Sequence, residues 1–256
     1  MAIIETAVEQ RGTGTPVVLL HAFPLSSALF DALGELPGYR LVLPDLRGFG
    51  ATALGDDAPA LGSMADDVVA LLDRLELDRV VVGGVSMGGY VTMELMRRAP
   101  GRLAGVVLID TKASADSAEA RAGRVAMAEA VVEVGRSALD PMASALLGAT
   151  TLQQRPEVVA QVSAWLDEAD PYAIAWAQRA MAERPDSHAT LSGAGIPGAV
   201  LVGDEDALAP QAEARAMAQA LGCGTRVVPD AGHLAVTENP TEARAQLLAA
   251  LDELVR

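Results

Sequence analysis

The sequence predicts an α/β fold: a mostly parallel central sheet flanked by helices, with a helical segment inserted into it. Three observations carry that expectation. Short apolar, β-branched runs alternate with longer amphipathic stretches through the first 111 residues; residues 112–187 show helical periodicity without a convincing strand; the alternation then resumes. Residues 1–111 and 188–256 thus read as one core domain, and 112–187 as a helical cap inserted in it.

Val17 to Leu20, Arg40 to Leu43, Val80 to Gly83 and Val106 to Ile109 read as strands of a parallel sheet covered on both faces. Ser63 to Leu75 repeats Met64, Val68, Leu71, Leu72 and Leu75 at helical spacing, with Ser63 as the expected N-cap and Asp66 and Asp67 in the first turn. Met87 to Ala99 reads as a second helix, closed by Pro100 and Gly101. The cap is too long for an ordinary connection, and Pro141, Pro156, Pro171 and Pro185 divide it into roughly four helices. A strand at Ala199 to Val202, a helix at Pro210 to Leu221, a strand at Thr225 to Val228 and a helix at Pro240 to Val255 follow.

Composition narrows the function classes. The 256 residues include 34 Asp and Glu against 19 Lys and Arg, a net charge of −15, with 51% hydrophobic and 3% aromatic residues. Such a chain can bury a sizeable core. Its field repels phosphate backbones and anionic membranes, and no basic stripe offsets it: Lys112 is the only lysine and the arginines are scattered. No nucleic-acid or membrane partner is expected. Cys223, the only cysteine, lies between two glycines, which excludes an intrachain disulfide and fits a turn. The first residues lack a signal-peptide layout and no apolar run reaches the length of a membrane span, so the expectation is a cytoplasmic protein. A homodimer through an apolar cap or edge strand stays open.

The chemistry centres on Gly84-Val85-Ser86-Met87-Gly88, a G-x-S-x-G pattern set directly between a buried strand and a helix. A strand that reverses into a helix over almost no residues holds the central serine in a strained conformation, and flanking glycines remove side chains that would clash. The Met87 N–H, at the helix N-terminus, is placed to face an oxyanion beside Ser86. Serine needs a base, and the chain offers His21, His188 and His233. His233 follows a strand and precedes the last helix, at the sheet edge where crevices open. His188 reads as a surface or packing residue and His21 as a loop-fixing one. The third member, a carboxylate, has candidates in Asp204, Glu205 and Asp206, with Asp110 as an alternative at another strand end. The order serine, acid, histidine is that of one hydrolase fold.

These residues resemble the α/β-hydrolase fold family, in the branch of small esterases, cofactor-free haloperoxidases (perhydrolases) and 3-oxoadipate enol-lactonases. The resemblance spans His21-Ala22-Phe23-Pro24, Asp45 to Gly50, Gly84 to Gly89, Gly203 to Asp206 with Pro210, and Gly232-His233 before Glu238-Asn239-Pro240. It implies Ser86, Asp206 and His233 as the catalytic residues, and the backbone N–H groups of Phe23 and Met87 as oxyanion donors. Ala22 departs from the glycine common in the family. The implied function is hydrolysis of a carboxylic ester, lactone or thioester through an acyl-enzyme, with a perhydrolase activity as the alternative and a non-catalytic binding protein as a remote one. No cofactor or metal is implied, and a small-molecule ester or lactone is the expected partner.

Asp45 to Gly50 resembles a structural loop in which Arg47 pairs with carboxylates, although Phe49 and Gly50 could edge the pocket. Trp165, Tyr172 and Trp176 have the spacing of a cap core; Trp165 is also a candidate substrate contact. A carboxylate-bearing lactone would require an arginine in the pocket, for which Arg121, Arg124, Arg136, Arg155, Arg179 and Arg184 are all candidates.

Overall fold

A computed structural model describes residues 2–255. The elements in chain order are β1 (Val8–Arg11), β2 (Thr15–Leu20), β3 (Tyr39–Pro44), α1 (Leu61–Arg74), β4 (Val80–Val85), α2 (Met87–Arg98) and β5 (Leu103–Ile109). Helices alone follow among the described residues: α3 (Ala118–Val134), α4 (Met142–Leu146), α5 (Ala149–Gln154), α6 (Pro156–Glu168), α7 (Pro171–Ala182) and α8 (His188–Gly193). The sheet resumes with β6 (Gly198–Gly203), α9 (Gln211–Leu221), β7 (Thr225–Val228), α10 (Ala235–Glu238) and α11 (Pro240–Leu254).

The strands lie in the order β1-β3-β2-β4-β5-β6-β7; β1 runs antiparallel to β3 and the other neighbours are parallel. The fold is therefore an α/β-hydrolase fold. From β2 the chain steps to β3 on one side, then crosses back to β4 on the other. The connections leaving β2 and β4 thus diverge to opposite faces, opening a crevice beyond their C-terminal ends. Register aligns the neighbouring strand ends with it. Val85 pairs with Ile109 and Gly203 with Val228, so the residues just past β4, β5, β6 and β7 emerge along one edge.

Strand alternation divides the core in two. Val18, Leu20, Val82, Val106, Leu108, Val200 and Val202 face one layer with α1, α2, α7 and α9. Val17, Leu19, Val81, Val107, Ile109 and Leu201 face the other with α10, α11 and the 3-10 segment Ser27–Leu33. Most of these side chains are fully buried, each contributing about 1.5–3 kcal/mol of transfer free energy, and that two-sided burial is why the strands lack a polar face.

Several expectations need adjustment. Helix α1 starts at Leu61, with Ala60 rather than Ser63 in the cap position, because burying Leu61 extends the helix by two residues. Strand β1, absent from the sequence reading, is an edge strand whose Glu9 and Gln10 face solvent. The stretch 112–187 holds five α-helices and a 3-10 turn at Gly135–Leu139, since Gly148 separates two short helices where no proline marks a break. No helix among the described residues is long and apolar enough to cross a membrane.

Candidate active site

Ser86 sits at the β4–α2 junction with φ 52° and ψ −111°. Its N–H donates to Ile109 O at 3.0 Å, while its carbonyl accepts from Gly89 N at 3.0 Å and Thr111 Oγ1 at 2.8 Å. These bonds hold a backbone geometry that costs a non-glycine residue about 1–3 kcal/mol. The flanking glycines are required by contact: a Cβ on Gly88 would lie 2.1 Å from Leu20 O, and one on Gly84 would lie 2.2 Å from the Gly88 carbonyl.

His233 reaches this serine from the loop between β7 and α10. Its Nε2 lies 2.7 Å from Ser86 Oγ, and its Nδ1 lies 2.8 Å from Asp206 Oδ2. The other Asp206 oxygen accepts the N–H groups of Leu208 at 2.8 Å and Ala209 at 2.9 Å. Burial pushes the Asp206 carboxyl up, but the hydrogen bond and charge of His233 and those two amides outweigh it and hold the group below the usual carboxylate range. Ser86, His233 and Asp206 therefore form one hydrogen-bonded chain across three loops.

The other acids at this edge do different work. Glu205 accepts from Thr150 N at 2.8 Å, and Asp204 accepts from Ala231 N at 3.4 Å. Asp110 is fully buried and ties the end of β6 to the start of α10, accepting from Gly203 N at 2.8 Å and Ala235 N at 3.0 Å. Burial, reinforced by the charge of Asp206, pushes its carboxyl well above the usual range against the pull of those amides. His21 fixes a loop: its Nε2 accepts the Leu46 N–H at 2.9 Å, which leaves Nδ1–H to donate to Ala22 O at 2.9 Å. Burial lowers its pKa, favouring that neutral ring. His188 lies at the surface beside Asp186, 3.1 Å away.

Phe23 lines the cavity at Ser86 and Met87 follows Ser86 as the first residue of α2; both are buried, and among the described residues neither backbone N–H has a protein acceptor. Ala22 avoids the left-handed region, so its methyl adds no backbone strain. A cavity of about 330 Å³ opens at Ser86 and His233 beside Phe23. Met127, Met142 and Met181 supply much of its apolar wall, while Lys112, Arg124 and Gln178 contribute polar groups. Burial holds the Lys112 ammonium below the usual lysine range despite the nearby Asp116.

Trp165 does not join this site. It lines a separate cavity of about 220 Å³ with Pro24, Phe49 and Gly50, because α6 packs this face on the layer that includes Leu25. The residues lining the Ser86 cavity do not include Trp165. Phe49 edges that second cavity while packing edge-on against Phe23, with ring centres 6.0 Å apart. Trp176 packs in the core and donates its indole N–H to Asp57 O at 2.8 Å, whereas Tyr172 is exposed. Of the candidate arginines, Arg124 lines the Ser86 cavity; Arg184 lies behind it over the Tyr90 ring, 4.3 Å from its centre. Among the described residues, no group of three or more His, Cys, Asp or Glu is arranged to hold a metal ion.

Comparisons with known proteins agree with this architecture. Residues 17–247 match the model of the Alpha/beta hydrolase family. A thermophilic esterase from Thermogutta terrifontis superposes with a TM-score of 0.94 at 38% identity, over 98% of this chain and 94% of its own. A 3-oxoadipate enol-lactonase from Acinetobacter baylyi is 27% identical over 203 residues, 79% of this chain and 74% of that protein. Two other relatives are matched over less than two thirds of their length. The dihydrolipoyllysine-residue acetyltransferase component of an acetoin cleaving system from Pseudomonas putida is 31% identical over 93% of this chain and 64% of its own. An AB hydrolase superfamily protein of Bacillus subtilis is 37% identical over 37% of this chain and 36% of its own. The chain belongs to the alpha/beta hydrolase family.

Proposed function

We propose that the protein hydrolyses carboxylic esters or lactones through an acyl-enzyme on Ser86. The observation that carries this reading is the continuous hydrogen-bonded chain from Ser86 Oγ through His233 to Asp206. His233 Nε2 takes the hydroxyl proton as Oγ attacks the carbonyl carbon, and Asp206 steadies the resulting imidazolium. The unpartnered amides of Phe23 and Met87 receive the oxyanion. Collapse of the tetrahedral intermediate releases the alcohol, protonated by His233. Water then attacks the acyl-enzyme with the same histidine as base, which releases the acid and restores the serine.

Hydrolysis of 4-nitrophenyl esters, together with covalent labelling by a fluorophosphonate, tests the reading. Both are expected in the native protein and neither in Ser86→Ala. Full ester hydrolysis by that variant removes Ser86 from the chemistry. Hydrogen peroxide in place of water gives the perhydrolase alternative, whose signature is bromination of a phenol reporter that requires both peroxide and a carboxylic acid.

A further inference from the structure

The wall of the Ser86 cavity carries charge of one sign. Lys112 and Arg124 line it, and among the described residues no Asp or Glu does, in a protein with a net charge of −15. Their shared counterion, Asp116, has a side chain only 1% exposed and lies behind the wall. It is also shared with Arg184, whose Nη2 donates to it at 2.8 Å. Even with Glu213 of α9 nearby, cations outnumber carboxylates in this cluster.

The donors on this wall are incompletely satisfied. Arg124 directs Nε to Asp116 at 2.5 Å and Nη1 to Gln178 Oε1 at 3.0 Å, but Nη2 has no hydrogen-bond partner among the described residues. Lys112 Nζ approaches Asp116 no nearer than 3.9 Å, beyond hydrogen-bond reach. Gln178 gives its carbonyl oxygen to Arg124, which leaves its amide N–H groups as further donors. Partly buried cations with free donors favour an anionic partner, and a carboxylate accepts several such bonds in two directions. The remaining wall of methionine and leucine suits an aliphatic chain.

Resting on the esterase reading above, we propose that Lys112 and Arg124 form a carboxylate-binding subsite, and that the substrate is an ester carrying a free carboxylate on a short aliphatic chain. Monomethyl glutarate and dimethyl glutarate test this, since they share an acyl chain and differ in that charge. Methyl acetoxyacetate and acetoxyacetate form the matching pair with the charge on the leaving alcohol. In one of the two pairs, the native enzyme is expected to favour the anion by about 10- to 100-fold in kcat/KM, the range of a charge-assisted hydrogen bond. The pair that shows it assigns the subsite to the acyl or the alcohol side.

Lys112→Met and Arg124→Met are each expected to reduce that ratio by about tenfold. Lys112→Arg and Arg124→Lys retain most of it, which separates lost charge from lost packing. Calorimetry on Ser86→Ala protein measures binding without turnover: the charged ester binds more tightly than its neutral partner, Lys112→Met in that background reduces the difference, and the double methionine variant removes it. A preference for the neutral ester in both pairs, or an anionic preference that survives in the double methionine variant, overturns the subsite and leaves the esterase reading standing. Selective binding of the anion to Ser86→Ala without native turnover of any of these esters retains the subsite and counts against the esterase reading. Equal binding of charged and neutral esters in both pairs overturns the subsite whatever the turnover.

Discussion

Glu238 accepts the backbone N–H of Gly148 at 2.8 Å, although the two residues lie 90 positions apart. Its other carboxylate oxygen accepts the N–H groups of Gly232 at 2.9 Å and Leu234 at 3.0 Å, the two neighbours of His233. One buried side chain, 2% exposed, thus fixes the histidine loop from both sides and ties it to the helical insertion. The His233 N–H donates to Leu146 O at 3.1 Å, and Arg155 donates to Glu238 O at 2.9 Å, reinforcing the same junction.

Glu238→Gln keeps the shape and replaces one acceptor oxygen with a donor facing a backbone N–H. We expect a loss of about 1–3 kcal/mol in stability, the cost of leaving a buried donor unmatched. The imidazole loses its fixed position while the apolar wall of the cavity is unchanged. Kinetics should therefore show kcat falling with KM little altered, and urea unfolding read beside them supplies the stability change. An unchanged kcat in a folded variant would remove Glu238 from positioning His233.

Arg47 and Asp67 form a buried bidentate pair, with Nε–Oδ2 and Nη2–Oδ1 both 2.8 Å and each side chain 1% exposed. The pair closes the Asp45 to Gly50 loop, in which Asp45 also accepts from Ser27 N and Ala51 N, both at 2.9 Å. Arg47→Met leaves the Asp67 carboxylate in the interior without its cation, at an expected cost of about 3–5 kcal/mol. Arg47→Met with Asp67→Leu removes both charges and should recover most of that loss, as measured by urea unfolding midpoints. A double variant no more stable than the single one argues against uncompensated charge as the cause.

The parts legible in the sequence are those set by local pattern. Strand β4, Ser86 and its glycines form one contiguous signal, and His233 and Asp206 each follow an apolar run whose end meets the same sheet edge. Strand β1 was not legible because only one of its edges pairs and its middle residues are polar. Helical spacing gives the period of Trp165, Tyr172 and Trp176 and not the direction each helix faces, so which cavity Trp165 lines is not legible in the sequence. The cap arginines carry the same local signal, and only the packing of α3 against α7 singles out Arg124 for the cavity. Lys112 stands out in the sequence as the only lysine, but its place on the cavity wall depends on the path of the chain beyond β5.

Asp206 and Asp110 respond to pH in opposite directions. Asp206 is held below the usual carboxylate range, so its contribution is fully present above the unfolded value of about 3.9 and is lost as pH falls through its lower folded value. Asp110 is raised, so the native state loses stability as pH rises from the unfolded value toward the folded one. The negative charge of Asp206 is one cause of that rise. Asp206→Asn is therefore expected to abolish the acid-side loss due to residue 206 and to lower the Asp110 pKa. Carboxyl carbon NMR of the variant should show Asp110 titrating at lower pH than in the native protein, and urea midpoints below about pH 4 should flatten. An Asp110 titration that stays in place would mean that the two carboxylates do not interact through the buried strand ends.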